Sequence, residues 1–137
     1  MFSIIVNRNP APAPTVLRAP DSETTTDVTL TSGTAAFGSF VEMLDETTLT
    51  CNYLTIFIHN PNTGNKYEIE FAVGSAGSED VKIEGILHHV DLVGQNIITT
   101  AVNFKVELPK GVRISARCKA TNNTDTIKIK GILQGIT

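Results

Sequence analysis

The chain has no tryptophan, two tyrosines, two cysteines and three histidines among its 137 residues, and each scarcity removes a class of function. Sugar-binding sandwiches offer aromatic platforms, and here only Tyr53 and Tyr67 are on hand, with Tyr67 in an apolar register. A disulfide between Cys51 and Cys118 is possible but not required. Each falls in an expected strand, Cys118 on the apolar side, so both read as small core residues. His88 and His89 are neighbours and point to opposite faces of any strand. His89 and Asp91 can share a face, but no third or fourth ligand lies near them. No metal and no other cofactor is expected.

A basic excess is missing too. Eleven Lys and Arg stand against 14 Asp and Glu, a net charge of -3, which gives nucleic acid no electrostatic footprint. No apolar run approaches the roughly 20 residues that cross a bilayer, so no membrane partner is expected. Met1–Val6 is apolar but has no basic leader and runs directly into prolines, so it does not read as a signal peptide. No Gly-rich phosphate loop sits between a strand and a helix. Ser75, Ser78 and Glu79 share a turn without the strand–turn–helix elbow of a nucleophile. With no convergent acid, base or metal set, the chain is expected not to be an enzyme.

What is present is β-structure. Leu49–His59 is β-branched and aromatic and ends in the turn cluster Asn60 to Asn65, so a hairpin with the strand starting at Lys66 is expected. Tyr67, Ile69 and Phe71 alternate with Glu68 and Glu70. After the polar turn Gly74–Asp80, Val81, Ile83, Gly85 and Leu87 alternate with Lys82, Glu84 and Ile86. Val102, Phe104, Val106 and Leu108 form the next apolar face. Beyond the turn Pro109–Gly111, the residues Val112, Ile114, Ala116, Cys118 and Ala120 form another. Ile127, Ile129 and Leu133 oppose Lys128, Lys130 and Ile132 in the last strand, and these final three strands are expected to pair consecutively. Phe37, Phe40, Val41 and Leu44 fit either a short helix or a bulged strand broken by Gly38, and the company they keep favours strand.

Strands about 10 to 14 residues apart, each with one apolar face, need a second sheet to cover them. The fold class is therefore all-β, an antiparallel β-sandwich of jelly-roll kind, with an immunoglobulin-like topology as the alternative. Ahead of it, Pro10, Pro12, Pro14 and Pro20 exclude a helix or a central strand. Residues 1–27 are read as an extended arm and 28–137 as the sandwich. Phe2, Ile4, Ile5 and Val6 need a surface to cover them, so the arm is expected to bind a partner, and its removal through Pro20 to leave the sandwich folded.

Arg113, Arg117, Lys119, Lys128 and Lys130 occupy the outward faces of the last two strands and are expected to form one basic stripe across a hairpin. Such a stripe is either a solvated face or a contact with acidic groups across a subunit boundary, with Glu68, Glu70, Glu84 or Glu107 as mates.

Two runs resemble segments of tailed-bacteriophage virion structural proteins: Phe71–Glu79, and Leu108–Arg117 with its strand sequel to Gly131. Thr34–Gly38 is also similar. Small proteins of that kind carry a Gly-x-Ala-Gly-Ser-Glu turn and a Pro-x-Gly-x-Arg-Ile-x-x-Arg hairpin. Lys119 departs from the apolar or Ser/Gln residue usual there. The resemblance implies a capsid decoration (cement) protein, or else a tail, collar or head-fibre adaptor. It also implies the virion as location, assembly in a bacterial cytoplasm, the major capsid protein or other virion proteins as partners, and a homo-oligomer taken as a trimer. A carbohydrate-binding host-attachment module ranks below both.

Overall fold

The computed structural model describes residues 15–20, 27–63, 66–89 and 100–136. Within them the chain forms β1 (Thr15–Ala19), β2 (Val28–Thr31), β3 (Val41–Leu44), β4 (Thr50–His59) and β5 (Lys66–Val73). It continues through β6 (Asp80–His89), β7 (Thr100–Leu108), β8 (Ile114–Lys119) and β9 (Thr126–Ile136). A five-stranded sheet runs β1-β9-β4-β7, with β2 beside β1 on the same edge of β9. A four-stranded sheet runs β3-β8-β5-β6. All pairings between strands are antiparallel, and the two sheets form a jelly-roll-like sandwich.

Alternation supplies the core. Ile127, Ile129 and Leu133 of β9 are fully buried, as are Leu54, Ile56 and Ile58 of β4, Tyr67 and Ile69 of β5, and Ile114 of β8. Each such side chain contributes roughly 1.5–3 kcal/mol of transfer free energy. The Tyr67 hydroxyl reaches the sandwich end, donating to Asn62 Oδ1 at 3.0 Å and lying 3.2 Å from Thr63 Oγ1. Its phenol therefore sits in the core without an unpaired polar end.

Chain order and pairing order differ from expectation. β4 and β5 lie in different sheets, so the turn after His59 is an arch between layers and not a hairpin. β7, β8 and β9 likewise alternate between sheets and do not pair consecutively. Turn chemistry specifies a reversal but not which layer receives the next strand, and covering both apolar faces is achieved by crossing over. β5 and β6 pair as a hairpin across the polar turn that starts at Gly74.

One departure from the expected alternation traces to a β-bulge. In β6, Ile69 opposes Ile86 while Phe71 opposes Ile83, so β6 holds one extra residue there, next to Gly85 at φ 71°. The phase inverts past that point: Ile86 is buried and Leu87, expected among the apolar set, is 78% exposed. A second bulge separates Cys51 from Tyr53 in both pairings of β4. The Phe37–Leu44 window contains no helix. Phe37 bridges Lys119, and Val41–Leu44 is strand.

β1 lies inside the stretch read as the arm. It pairs with Gly131–Gly135 as an edge strand, and Leu17 and Ala19 belong to the core. Truncation through Pro20 therefore removes part of the sandwich, contrary to expectation.

Candidate functional site

The runs Phe71–Glu79 and Leu108–Arg117, far apart in sequence, meet at one corner of the sandwich. The Gly74 amide donates to the Arg113 carbonyl at 3.1 Å, and Arg113 Nη1 donates to the Gly74 carbonyl and to Glu79 Oε1, each at 3.3 Å. Arg113 Nε is 2.7 Å from Glu42 Oε2. Glu79 is held below the ordinary carboxyl range, first by its own backbone amide, then by the Gly77 amide and Arg113. Thr47 ties the Pro109–Val112 turn down. Its hydroxyl donates to the Pro109 carbonyl at 2.8 Å and accepts from the Val112 amide at 3.1 Å. An open groove of about 750 Å³ between Glu42, Glu46, Ser75 and Gly111 lies over this corner.

The outward face of the four-stranded sheet is a ladder of intramolecular pairs. Register sets Arg117 opposite Glu70 and Lys119 opposite Glu68, and both form ion pairs at 2.7 Å. The Phe37–Phe40 segment then folds over the ladder, placing the Arg117 guanidinium carbon 4.6 Å and 4.4 Å from the two ring centroids. Lys119 Nζ is 4.8 Å from the Phe37 ring. Gly38 makes the crossing possible, since a Cβ there would overlap the Thr31 carbonyl oxygen.

Of the five basic residues singled out in the sequence, Arg113, Arg117 and Lys119 thus share this face, each with a carboxylate of its own chain. Lys128 and Lys130 sit on β9 in the other sheet, so the single stripe does not form. A period of two fixed which residues face outward, but the basic residues meet only if their strands pair. Phe2, Ile4, Ile5, Val6, Pro10, Pro12 and Pro14 lie outside the described residues, as does Asp91.

The outward face of the five-stranded sheet is built differently. Val16, Gln134, Tyr53 and Lys105 fall in one row across β1, β9, β4 and β7. Val16 and Tyr53 are each 52% exposed. Strict alternation from buried Cys51 would turn Tyr53 inward; the bulge at Asn52 turns it out. Nothing in the composition around Asn52 marks that insertion. Further along, Thr55 Oγ1 donates to Asn103 Oδ1 at 2.6 Å, Lys130 Nζ lies 5.7 Å from the Phe57 ring, and His59 Nε2 is 3.0 Å from Asp27 Oδ2.

Cys51, Cys118 and Tyr67 sit in the core. Burial pushes the Cys118 thiol up to about 11, with Asp125 adding to it, and burial also raises Cys51 and Tyr67. A thiol so raised is protonated and a poor nucleophile near neutrality. Among the described residues no three His, Cys, Asp or Glu converge to hold a metal, and no helix is long and apolar enough to cross a membrane.

No family model and no curated protein matches the chain. Among solved structures, the fold is similar to infectious bursal disease virus, Gx strain, with a TM-score of 0.47 at 8% identity over 99% of this chain and 37% of that one. It is similar to the T13 particle of the same virus at 0.49 and 5%, covering 99% and 36%. It is also similar to a Clostridium thermocellum xylanase complexed with xylohexaose at 0.40 and 15%, covering 91% and 25%. The chain spans well under half the length of each of these proteins, and at these scores the likeness carries no argument about function.

Proposed function

We propose that the chain is a virion structural protein, a capsid decoration (cement) protein that stabilises a phage head by bridging capsid subunits. The observation that carries this reading is the corner at Arg113. The two runs on which the resemblance to tailed-phage proteins rests become one hydrogen-bonded unit there, so the resemblance follows a structural feature and not two unrelated turns. The remaining chemistry agrees. The carboxylates near the basic ladder neutralise cations of their own chain, the thiols stay protonated, and the sandwich offers broad sheet faces. Action through added contact area needs no more than that.

In this reading residues 1–27 remain the arm, rooted in the sandwich by β1. Phe2, Ile4, Ile5 and Val6 make its apolar contacts, and Pro10, Pro12 and Pro14 limit its conformational freedom before binding. The partners are the major capsid protein and further copies of this chain, arranged as a trimer, in particles assembled in a bacterial cytoplasm. Arg113, Arg117 and Lys119 already have mates within the chain, so charge contacts between subunits fall first to Lys128 and Lys130. The test compares particles with and without the protein under heat, low salt and osmotic shock. Earlier rupture of the depleted particles is expected, and equal survival overturns the cement role. A few copies per particle instead of a lattice would assign the chain to the tail, collar or a fibre.

A further inference from the structure

The two outward faces of the sandwich differ in a way the sequence did not reveal. On the four-stranded sheet, cations meet carboxylates and the Phe37–Phe40 segment lies on top. On the five-stranded sheet, Arg18, Lys105, Lys128 and Lys130 point outward, and no ion pair among the described residues engages any of them. Among the described residues two carboxylates share that face: Asp27, against His59, and Glu107, two residues from Lys105 on the edge strand. Among the described residues four cations and two anions leave that face at +2, on a chain whose net charge is -3. Its apolar side chains are Val16 and Tyr53, which flank Gln134 in one row, and half-buried Ile132 in the next.

We propose that this face, with Tyr53 as its aromatic anchor, is a docking surface for a protein partner whose contact patch combines apolar and acidic side chains. Charge complementarity selects the occupant. A second copy docked face to face would bring like charges together and be repelled. The bulge at Asn52 is the second support. It interrupts both pairings of β4 and exposes an aromatic side chain that unbroken alternation would bury, and exposed tyrosine is over-represented among residues that dominate binding energy. The inference rests on the virion reading only for the identity of the partner, a capsid subunit; the face itself is argued from charge and geometry.

Two measurements test it. The isotope-labelled full chain is titrated separately with poly-L-glutamate, a single-stranded oligoribonucleotide and xylohexaose, and amide shifts are followed. Poly-L-glutamate is expected to move residues of β9 and β4, to leave β8 unmoved, and to lose its effect in the Lys105→Glu, Lys130→Glu double variant. A footprint on the four-stranded sheet overturns the proposal, as does a tighter footprint of the oligoribonucleotide or the sugar on the Tyr53 face. Second, particles of the virus that encodes the chain, stripped of it, are re-bound by wild type, Tyr53→Asp and the opposite-face control Leu87→Asp. Tyr53→Asp is expected to weaken binding by at least about tenfold with its unfolding midpoint unchanged, and the control to bind as wild type. Equal binding by Tyr53→Asp overturns the docking face and leaves the virion reading standing. Failure of the wild type to bind particles, with the poly-L-glutamate footprint intact, does the reverse.

Discussion

Arg117 pairs with Glu70 at 2.7 Å across the β5–β8 ladder, and Glu70 is only 7% exposed even though it lies on the outward side of its sheet. The rings of Phe37 and Phe40 lie against the Arg117 guanidinium and shield that side of the pair. Removing one member of a largely desolvated pair leaves the other charged and unpaired. Arg117→Ala is therefore expected to lower unfolding stability by about 2–3 kcal/mol, somewhat below the fully buried case because Arg117 keeps partial exposure. Glu70→Gln, which retains an acceptor, should cost less. Urea denaturation of the two variants orders them, and equal stability of Arg117→Ala and wild type would show that shield to be open in solution.

This pair also marks where the sequence stops being legible. Period-two alternation identified β5, β7, β8 and β9 and their buried faces because one-sided burial leaves a direct imprint on residue order. Alternation places Glu70 on the face opposite Phe71, and the shielding of its partner Arg117 comes from a segment 30 positions from Glu70 that alternation cannot see. Layer assignment was illegible for the same reason: Asn60 to Asn65 and Pro109 to Gly111 announce reversals, and only packing decides that both cross between sheets. The bulges at Asn52 and Gly85 insert single residues without distinctive composition, so the outward turn of Leu87 cannot be read from residue order. The Arg113 corner, by contrast, was half legible, since both of its runs drew attention but nothing in their order brought them together.

Ser115 stands next to Arg117's column, 0% exposed, and its hydroxyl has no hydrogen-bond partner. A buried unpaired hydroxyl opposes folding by its lost hydration. Ser115→Ala deletes that oxygen and little else, so it is expected to raise stability by about 1 kcal/mol, seen as a higher thermal midpoint. Destabilisation by the same amount would mean the hydroxyl is satisfied, for example by water.

Cys118 supplies a prediction with a definite sign. Its thiol is raised from 9.0 to about 11, so between those values the folded chain keeps a proton that the unfolded chain has lost. Stability must fall as pH rises through that window, and below it the thiol contributes nothing. The full effect, on the order of 3 kcal/mol, follows from about 1.4 kcal/mol for each pH unit of separation. Unfolding midpoints at pH 8.5, 9.5 and 10.5 should drop more steeply for wild type than for Cys118→Ala. Parallel slopes would place the thiol in contact with water, and it would then also react with disulfide reagents in the native state.

Leu17 and Ala19 divide the N-terminal stretch into two parts with different roles. Both are buried, and the strand they belong to covers Gly131–Gly135 of β9. Deleting residues 1–20 therefore uncovers the edge of a central strand and empties a Leu side chain's volume from the core, a change expected to cost about 3–5 kcal/mol and to promote edge-to-edge association. Deleting residues 1–14 leaves β1 in place, so the unfolding midpoint should stay close to that of the full chain while attachment to particles weakens. Sedimentation and urea denaturation of the two truncated chains separate the outcomes. If the shorter deletion also unfolds the protein, Phe2, Ile4, Ile5 and Val6 are covered by the chain's own sandwich, and the arm reading falls. If it binds particles as well as the full chain, the docking must reside entirely on the sheet faces, with Tyr53 its first suspect.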